Sequence, residues 1–126
     1  MPRPISTRIH GVLDYMTAAL LLLLPRWLNW SPEVTTLLTI LALATTVYSL
    51  ITRYELSILK LLPVPGHLGL DALSAFTLLG AAFVLPMEGN SAMIGLIALG
   101  IFELAATLLT EPRSKYAYGA SGASTR

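Results

Sequence analysis

The chain has 126 residues, 55% of them hydrophobic and 12% charged, with a net charge of +1 and a mean hydropathy of +0.71. Soluble domains carry about 25% charged residues, so half that share argues against a water-exposed surface. With no cysteine, disulfides, thiolate nucleophiles and sulfur-ligated metals are excluded.

In chain order, apolar stretches cover residues 9–24, 34–51, 68–85 and 92–109. A helix needs about 17–25 residues to cross a bilayer, and each stretch reaches that range with its flanks. The runs are continuously apolar rather than alternating, which excludes a membrane β-barrel. The expected fold is all-α: an integral membrane four-helix bundle of two tandem transmembrane hairpins. Arg3 and Arg8 followed by Leu20–Leu24 imitate a secretory signal. Asp14 interrupts the apolar run, however, and no small-residue cleavage site follows, so this is a retained first helix.

Pro25 and Pro86 are expected to close the first and third helices, and Pro112 to stop the fourth. Ser31-Pro32-Glu33 places a capping hydroxyl, a first-turn proline and an acid at the start of the second. The connection over residues 52–65 mixes apolar and charged residues, and its stretch Tyr54-Glu55-Leu56-Ser57-Ile58-Leu59-Lys60-Leu61-Leu62 fits a short interfacial helix. The expected transmembrane domain spans 1–114, with repeats at about 5–55 and 63–113, followed by a disordered cytoplasmic tail over 115–126.

Alternating helices put Arg3, Arg8, Arg53, Lys60, Arg113, Lys115 and Arg126 on one side and Arg26 alone on the other. The positive-inside rule makes the first side cytoplasmic, with both termini there and the plasma (inner) membrane as the expected location. Trp27 and Trp30 fall at the opposite interface. These basic residues are membrane anchors rather than a nucleic-acid surface; the expected partners are the lipid bilayer and a second copy or another membrane protein.

A spaced pair occurs twice: His10-Gly-Val-Leu-Asp14 and, 57 residues on, His67-Leu-Gly-Leu-Asp71. Leu24-Pro25 matches Leu85-Pro86, and Ser49-Leu-Ile-Thr52 matches Thr107-Leu-Leu-Thr110. The chain therefore reads as a duplicated hairpin, with both copies entering the membrane from the same side. His10-Gly-Val-Leu-Asp14-Tyr15, Leu24-Pro25-Arg26-Trp27 and the second His67-x-x-x-Asp71 resemble the SPW repeat family of small bacterial and archaeal membrane proteins. The resemblance spans about residues 5–112, although Leu24-Pro25-Arg26 and Leu85-Pro86-Met87 keep only the proline of the Ser-Pro-Trp tripeptides. It implies two tandem hairpins and no established biochemical activity.

Residues four apart share a helix face, so each His can meet the Asp of its own pair. Asp14 and Asp71 lie roughly 8–9 Å below the cytoplasmic boundary, and Glu103 roughly 10 Å from it, at 1.5 Å per residue. His10, Asp14, His67, Asp71 and Glu103 thus form a candidate polar layer. Three readings of it stand side by side. In the favoured one the acids pair with Arg8, Arg53, Lys60 or Arg113 and fix the register of the hairpins. A second reads the layer as a proton or ion path, since acids inside a membrane usually face the bundle interior and mark function. The third is a metal or cofactor site, haem ligation by the two histidines included; no metal or cofactor is the expectation.

Glu103 has no counterpart at its repeat position, where Thr45 stands. It belongs to a stripe Gly100-Glu103-Thr107-Thr110, matched on the second helix by Thr35, Thr39, Ala42, Thr46, Ser49 and Arg53. Such small and hydroxyl residues let membrane helices approach closely. No acyl-transfer set and no phosphate-binding glycine loop is present. The expectation is a non-enzymatic membrane module acting through assembly, with a proton or cation transporter as the alternative.

Overall fold

The computed structural model describes residues 3–52 and 57–112. It has four helices: α1 (Thr7–Trp27), α2 (Pro32–Leu50), α3 (Val64–Val84) and α4 (Ser91–Leu109). With 19 to 21 residues each, they are about 28–32 Å long, close to the ~30 Å hydrocarbon thickness of a bilayer. All four are long and apolar enough to cross a membrane. The chain is a small four-helix membrane protein.

Local chemistry sets the helix ends. Ser6 caps α1 by accepting the Ile9 N–H, and Ser31 caps α2 by accepting that of Val34. Pro32 occupies the first turn of α2 as expected, where its missing N–H costs nothing. Pro25 does not close α1 but lies inside its last turn. The helix ends beyond it, where Asn29 takes a left-handed φ of 55° and the Trp30 N–H returns to the Pro25 carbonyl at 2.9 Å. This is the Schellman arrangement, with asparagine in the usual glycine position.

α1 packs on α2 and α3 on α4, and the two hairpins meet along α2/α3 and α1/α4. α1 and α3 therefore face each other diagonally across the bundle. Large apolar side chains such as Met16, Leu43, Phe76 and Phe83 point outward, as a lipid-facing surface requires. The interior changes character along its length. Toward the hairpin turns it is apolar, with Leu21, Leu38, Leu78 and Leu96 fully buried. Toward the termini it is polar, burying His10, Asp14, Thr45, Ser49, His67, Asp71, Ser74, Glu103 and Thr107. Gly100 lies between these zones, where α3 and α4 approach so closely that a Cβ would sit 2.8 Å from Leu79 and 3.0 Å from the Ala75 carbonyl.

The expected interfacial helix is not found. Tyr54–Leu56 lie outside the described residues, and residues 57–63 are not helical. Their amides are used instead to satisfy the open carbonyls at the end of α2, since the last turn of any helix lacks intrahelical donors. The Ile58 and Leu59 N–H groups bond the Leu50 carbonyl at 2.9 Å, and those of Leu61 and Leu62 bond Ile51 at 2.8 and 2.7 Å. The other hairpin ends in a matching way. The Ile5 N–H bonds the Leu109 carbonyl at 3.0 Å, and the Glu111 N–H bonds Ile5 at 2.7 Å. Leu62 thus bridges Thr52 as Ile5 bridges Thr110, both in parallel sense.

At the opposite end the hairpins are tied again. The Ser31 hydroxyl donates to the Pro86 carbonyl at 2.7 Å, and the Trp30 indole N–H donates to Ser91 Oγ at 2.9 Å. The Trp30 ring lies over Gly95, where a Cβ would meet it at 2.4 Å. Trp27 is 79% exposed, suited to an interface. The expected tail over 115–126 lies outside the described residues.

Candidate functional site: a His/Asp cluster joining the two hairpins

His10 lies in the first turn of α1, and Asp14 follows one turn later on the same face; His67 and Asp71 repeat this on α3. Because α1 and α3 are diagonal neighbours, both faces point at the bundle axis and the four side chains meet there. The shorter contacts run between hairpins. His10 Nε2 is 2.7 Å from Asp71 Oδ2, and His67 Nε2 bonds Asp14 Oδ2. Within each pair the separations are longer, 3.2 Å for His10–Asp14 and 3.1 Å for His67–Asp71. Each Nε2 therefore faces both Oδ2 atoms, in a ring that alternates nitrogen and oxygen. All four residues are buried.

The outer edges of the two imidazoles are fixed alike. His10 Nδ1 is 2.6 Å from Thr110 Oγ1, and His67 Nδ1 is 2.6 Å from Thr52 Oγ1. Each threonine hydroxyl also donates to the carbonyl four residues earlier, Thr110 to Ala106 and Thr52 to Tyr48, both at 2.5 Å. A hydroxyl has one proton and a carbonyl can only accept. The histidine contact must then be Nδ1–H donating to the threonine oxygen, so each ring carries a proton on Nδ1, and each Nε2–carboxylate bond needs a second proton held between Nε2 and the carboxylate.

The two halves differ at two points. Tyr48 donates its hydroxyl to Asp71 Oδ1 at 2.5 Å and stands edge-on to the His67 ring; the corresponding position of the second hairpin is Ala106. Glu103 occupies the other, opposite Thr45. It is 6% exposed, and among the described residues neither of its carboxylate oxygens has a hydrogen-bond partner. Ser49 Oγ, Ser74 Oγ and Thr107 Oγ1 are likewise buried and unpartnered. The Ser74 hydroxyl is the neighbour that acts most on Glu103, ahead of the charged Asp71, Asp14 and His10.

The structure brings together four of the expected residues and places Glu103 beside them. Of the expected basic partners, Arg8 and Lys60 are among the described residues and neither is bonded to the cluster. Arg8 is exposed; it stands two residues from His10, about 200° around the helix, and so points away from the axis. The Lys60 ammonium bonds the backbone and hydroxyl of Ser57 at 3.2 and 3.1 Å. Arg53 and Arg113 lie outside the described residues. Among the described residues Asp14 and Asp71 are paired with histidines of the opposite hairpin, not with arginine or lysine.

The α4 stripe of Gly100, Glu103, Thr107 and Thr110 faces the interior as expected. The α2 stripe is displaced. Thr35, Thr39 and Thr46 are only half-buried and bond the carbonyls of Trp30, Thr35 and Ala42. The buried polar line of α2 is Thr45, Ser49 and then Thr52 beyond its end. Thr110 was expected on the polar stripe of α4 but not beside a histidine, and Tyr48 and Thr52 were not assigned to the site. The match of Ser49-Leu-Ile-Thr52 with Thr107-Leu-Leu-Thr110 was the available signal.

His10, Asp14, His67 and Asp71 each offer one ligand atom within 4.8 Å of the others, a set able to hold a cation. Compared with family models, curated proteins and solved structures, the chain finds no match in any of the three.

Proposed function

We propose that this small membrane protein is a non-enzymatic module made by hairpin duplication, and that it works through assembly with a second copy or another membrane protein. The observation that carries this reading is the crossed His/Asp pairing. Each hairpin supplies one imidazole and one carboxylate, and each carboxylate is bonded by the imidazole of the other hairpin. Such a buried polar lock specifies which hairpin faces which, as polar core residues do in other helix assemblies. The matched bonds of Ile5/Thr110 and Leu62/Thr52 support duplication. They also fit membership of the SPW repeat family, which the two His-x-x-x-Asp motifs first indicated. The distribution of Arg and Lys supports a plasma (inner) membrane location with both termini cytoplasmic.

A transport reading draws on Glu103, a buried acid without a hydrogen-bond partner among the described residues. Against it, the axis toward the hairpin turns is filled by Leu21, Leu38, Leu78 and Leu96, so among the described residues the polar layer does not continue along the axis to that end. The assembly reading predicts that the purified protein runs above the mass of one chain by light scattering, and that Asp14→Asn/Asp71→Asn lowers the assembled fraction. A monomeric protein whose proteoliposome cation flux is abolished by Glu103→Gln would replace it with the transport reading.

A further inference from the structure

We propose that the His/Asp ring is a binding site for one divalent first-row transition cation of zinc's type, held by His10 Nε2, His67 Nε2, Asp14 Oδ2 and Asp71 Oδ2. Four donors from two helices converge on one buried point. Zinc bonds nitrogen and carboxylate oxygen at about 2.0–2.2 Å in tetrahedral sites, which places neighbouring ligand atoms about 3.3 Å apart. The contacts within each pair, 3.2 and 3.1 Å, already have that spacing. Those between hairpins, of which His10–Asp71 at 2.7 Å is one, need to open by about half an ångström or somewhat more. The two like-atom separations, which lie within 4.8 Å, must reach the same spacing, so the ring has to pucker as α1 and α3 part.

The surroundings have the form that metal sites use. A ligating histidine donates its second ring N–H to a fixed acceptor, which sets the tautomer and ring orientation. Thr52 and Thr110 do this for both rings, leaving each Nε2 as the inward donor. Tyr48 holds Asp71 Oδ1 and turns Oδ2 inward as a single donor. Two carboxylates balance a divalent charge, so the loaded site is neutral, which suits burial in an apolar bundle. Glu103 is a second observation at the same depth: it is more than nine-tenths buried, among the described residues its carboxylate has only the Ser74 hydroxyl as a polar neighbour, short of full hydrogen-bond geometry, and it lies within the field of the same cluster. The nitrogen–oxygen donor set, without sulfur, selects borderline over soft cations.

This inference concerns the same four side chains as the proposed lock but stands apart from assembly. Assembled protein that takes up no metal would overturn only the site, and metal bound to a chain that stays monomeric would overturn only the module. The test uses the full chain in detergent, stripped with a chelator and titrated with cobalt(II). One equivalent per chain is expected, with the visible absorption of a tetrahedral nitrogen–oxygen site, displaced by one equivalent of zinc. His10→Gln/His67→Gln is expected to abolish it. Thr52→Val/Thr110→Val keeps all four ligands and is expected to weaken zinc binding about 10–100-fold, which tests the site even where the histidine variant fails to fold. Folded wild-type protein that takes up neither cation, or binding that survives loss of both histidines, overturns the proposal.

Discussion

The two ends of the bundle are held by different physics on the same four helices. Toward the hairpin turns, Leu21, Leu38, Leu78 and Leu96 fill the axis, and what they require of each other is volume. Toward the termini the axis is filled by His10, Asp14, His67 and Asp71, which require a particular partner at a particular atom. Apolar packing in a membrane discriminates poorly, since lipid tails are as apolar as leucine. The polar end therefore carries the specificity of hairpin pairing, and the leucine end contributes packing that many side chains would satisfy.

Substitutions at each end separate these roles. Asp71→Ala leaves both imidazoles and the Tyr48 hydroxyl without a shared acceptor; removing one partner of a buried ion pair costs about 3–5 kcal/mol. The loss is expected as a drop in resistance to SDS titration followed by circular dichroism, together with loss of native hairpin pairing by disulfide trapping of engineered cysteines. Leu38→Ala is expected to cost about 2–4 kcal/mol through the cavity it leaves, with pairing intact by the same trapping assay. Equal pairing defects in the two variants would break the distinction between the ends. Tyr48→Phe removes one hydrogen bond to a carboxylate, expected at about 1.5–3 kcal/mol in the same titration. An unchanged midpoint would show that Asp71 is oriented by the histidines alone.

The four helices were legible because length and hydropathy settle where an apolar chain can cross a bilayer. The convergence of His10, Asp14, His67 and Asp71 was half legible. Spacing by four put each pair on one face, and its recurrence at the head of the first and third apolar runs put both pairs at one depth. For Arg8 the expected pairing was chosen by side of membrane rather than by angle around the helix. Arg8 is two residues from His10 and so on nearly the opposite face, a fact already present in the sequence. What the sequence did not contain was the diagonal placement of α1 and α3, which decides that imidazole meets carboxylate across the axis. The segment Ser57–Leu62 failed for another reason. Its mixture of apolar and charged residues suits an interfacial helix as well as an extended strap, and the open carbonyls of Leu50 and Ile51 decide between them.

The two parallel bridges carry a topological consequence. Ile5 is joined to Thr110 as Leu62 is joined to Thr52, so the residues entering each hairpin are stitched to the exit of the other. The described path is in effect a closed loop with two equivalent seams, only one of which is covalent. Which hairpin comes first along the polypeptide then matters little to the bundle. A circularly permuted chain, opened between the hairpins and rejoined across the other seam, presents the same four helices and the same histidine–aspartate ring.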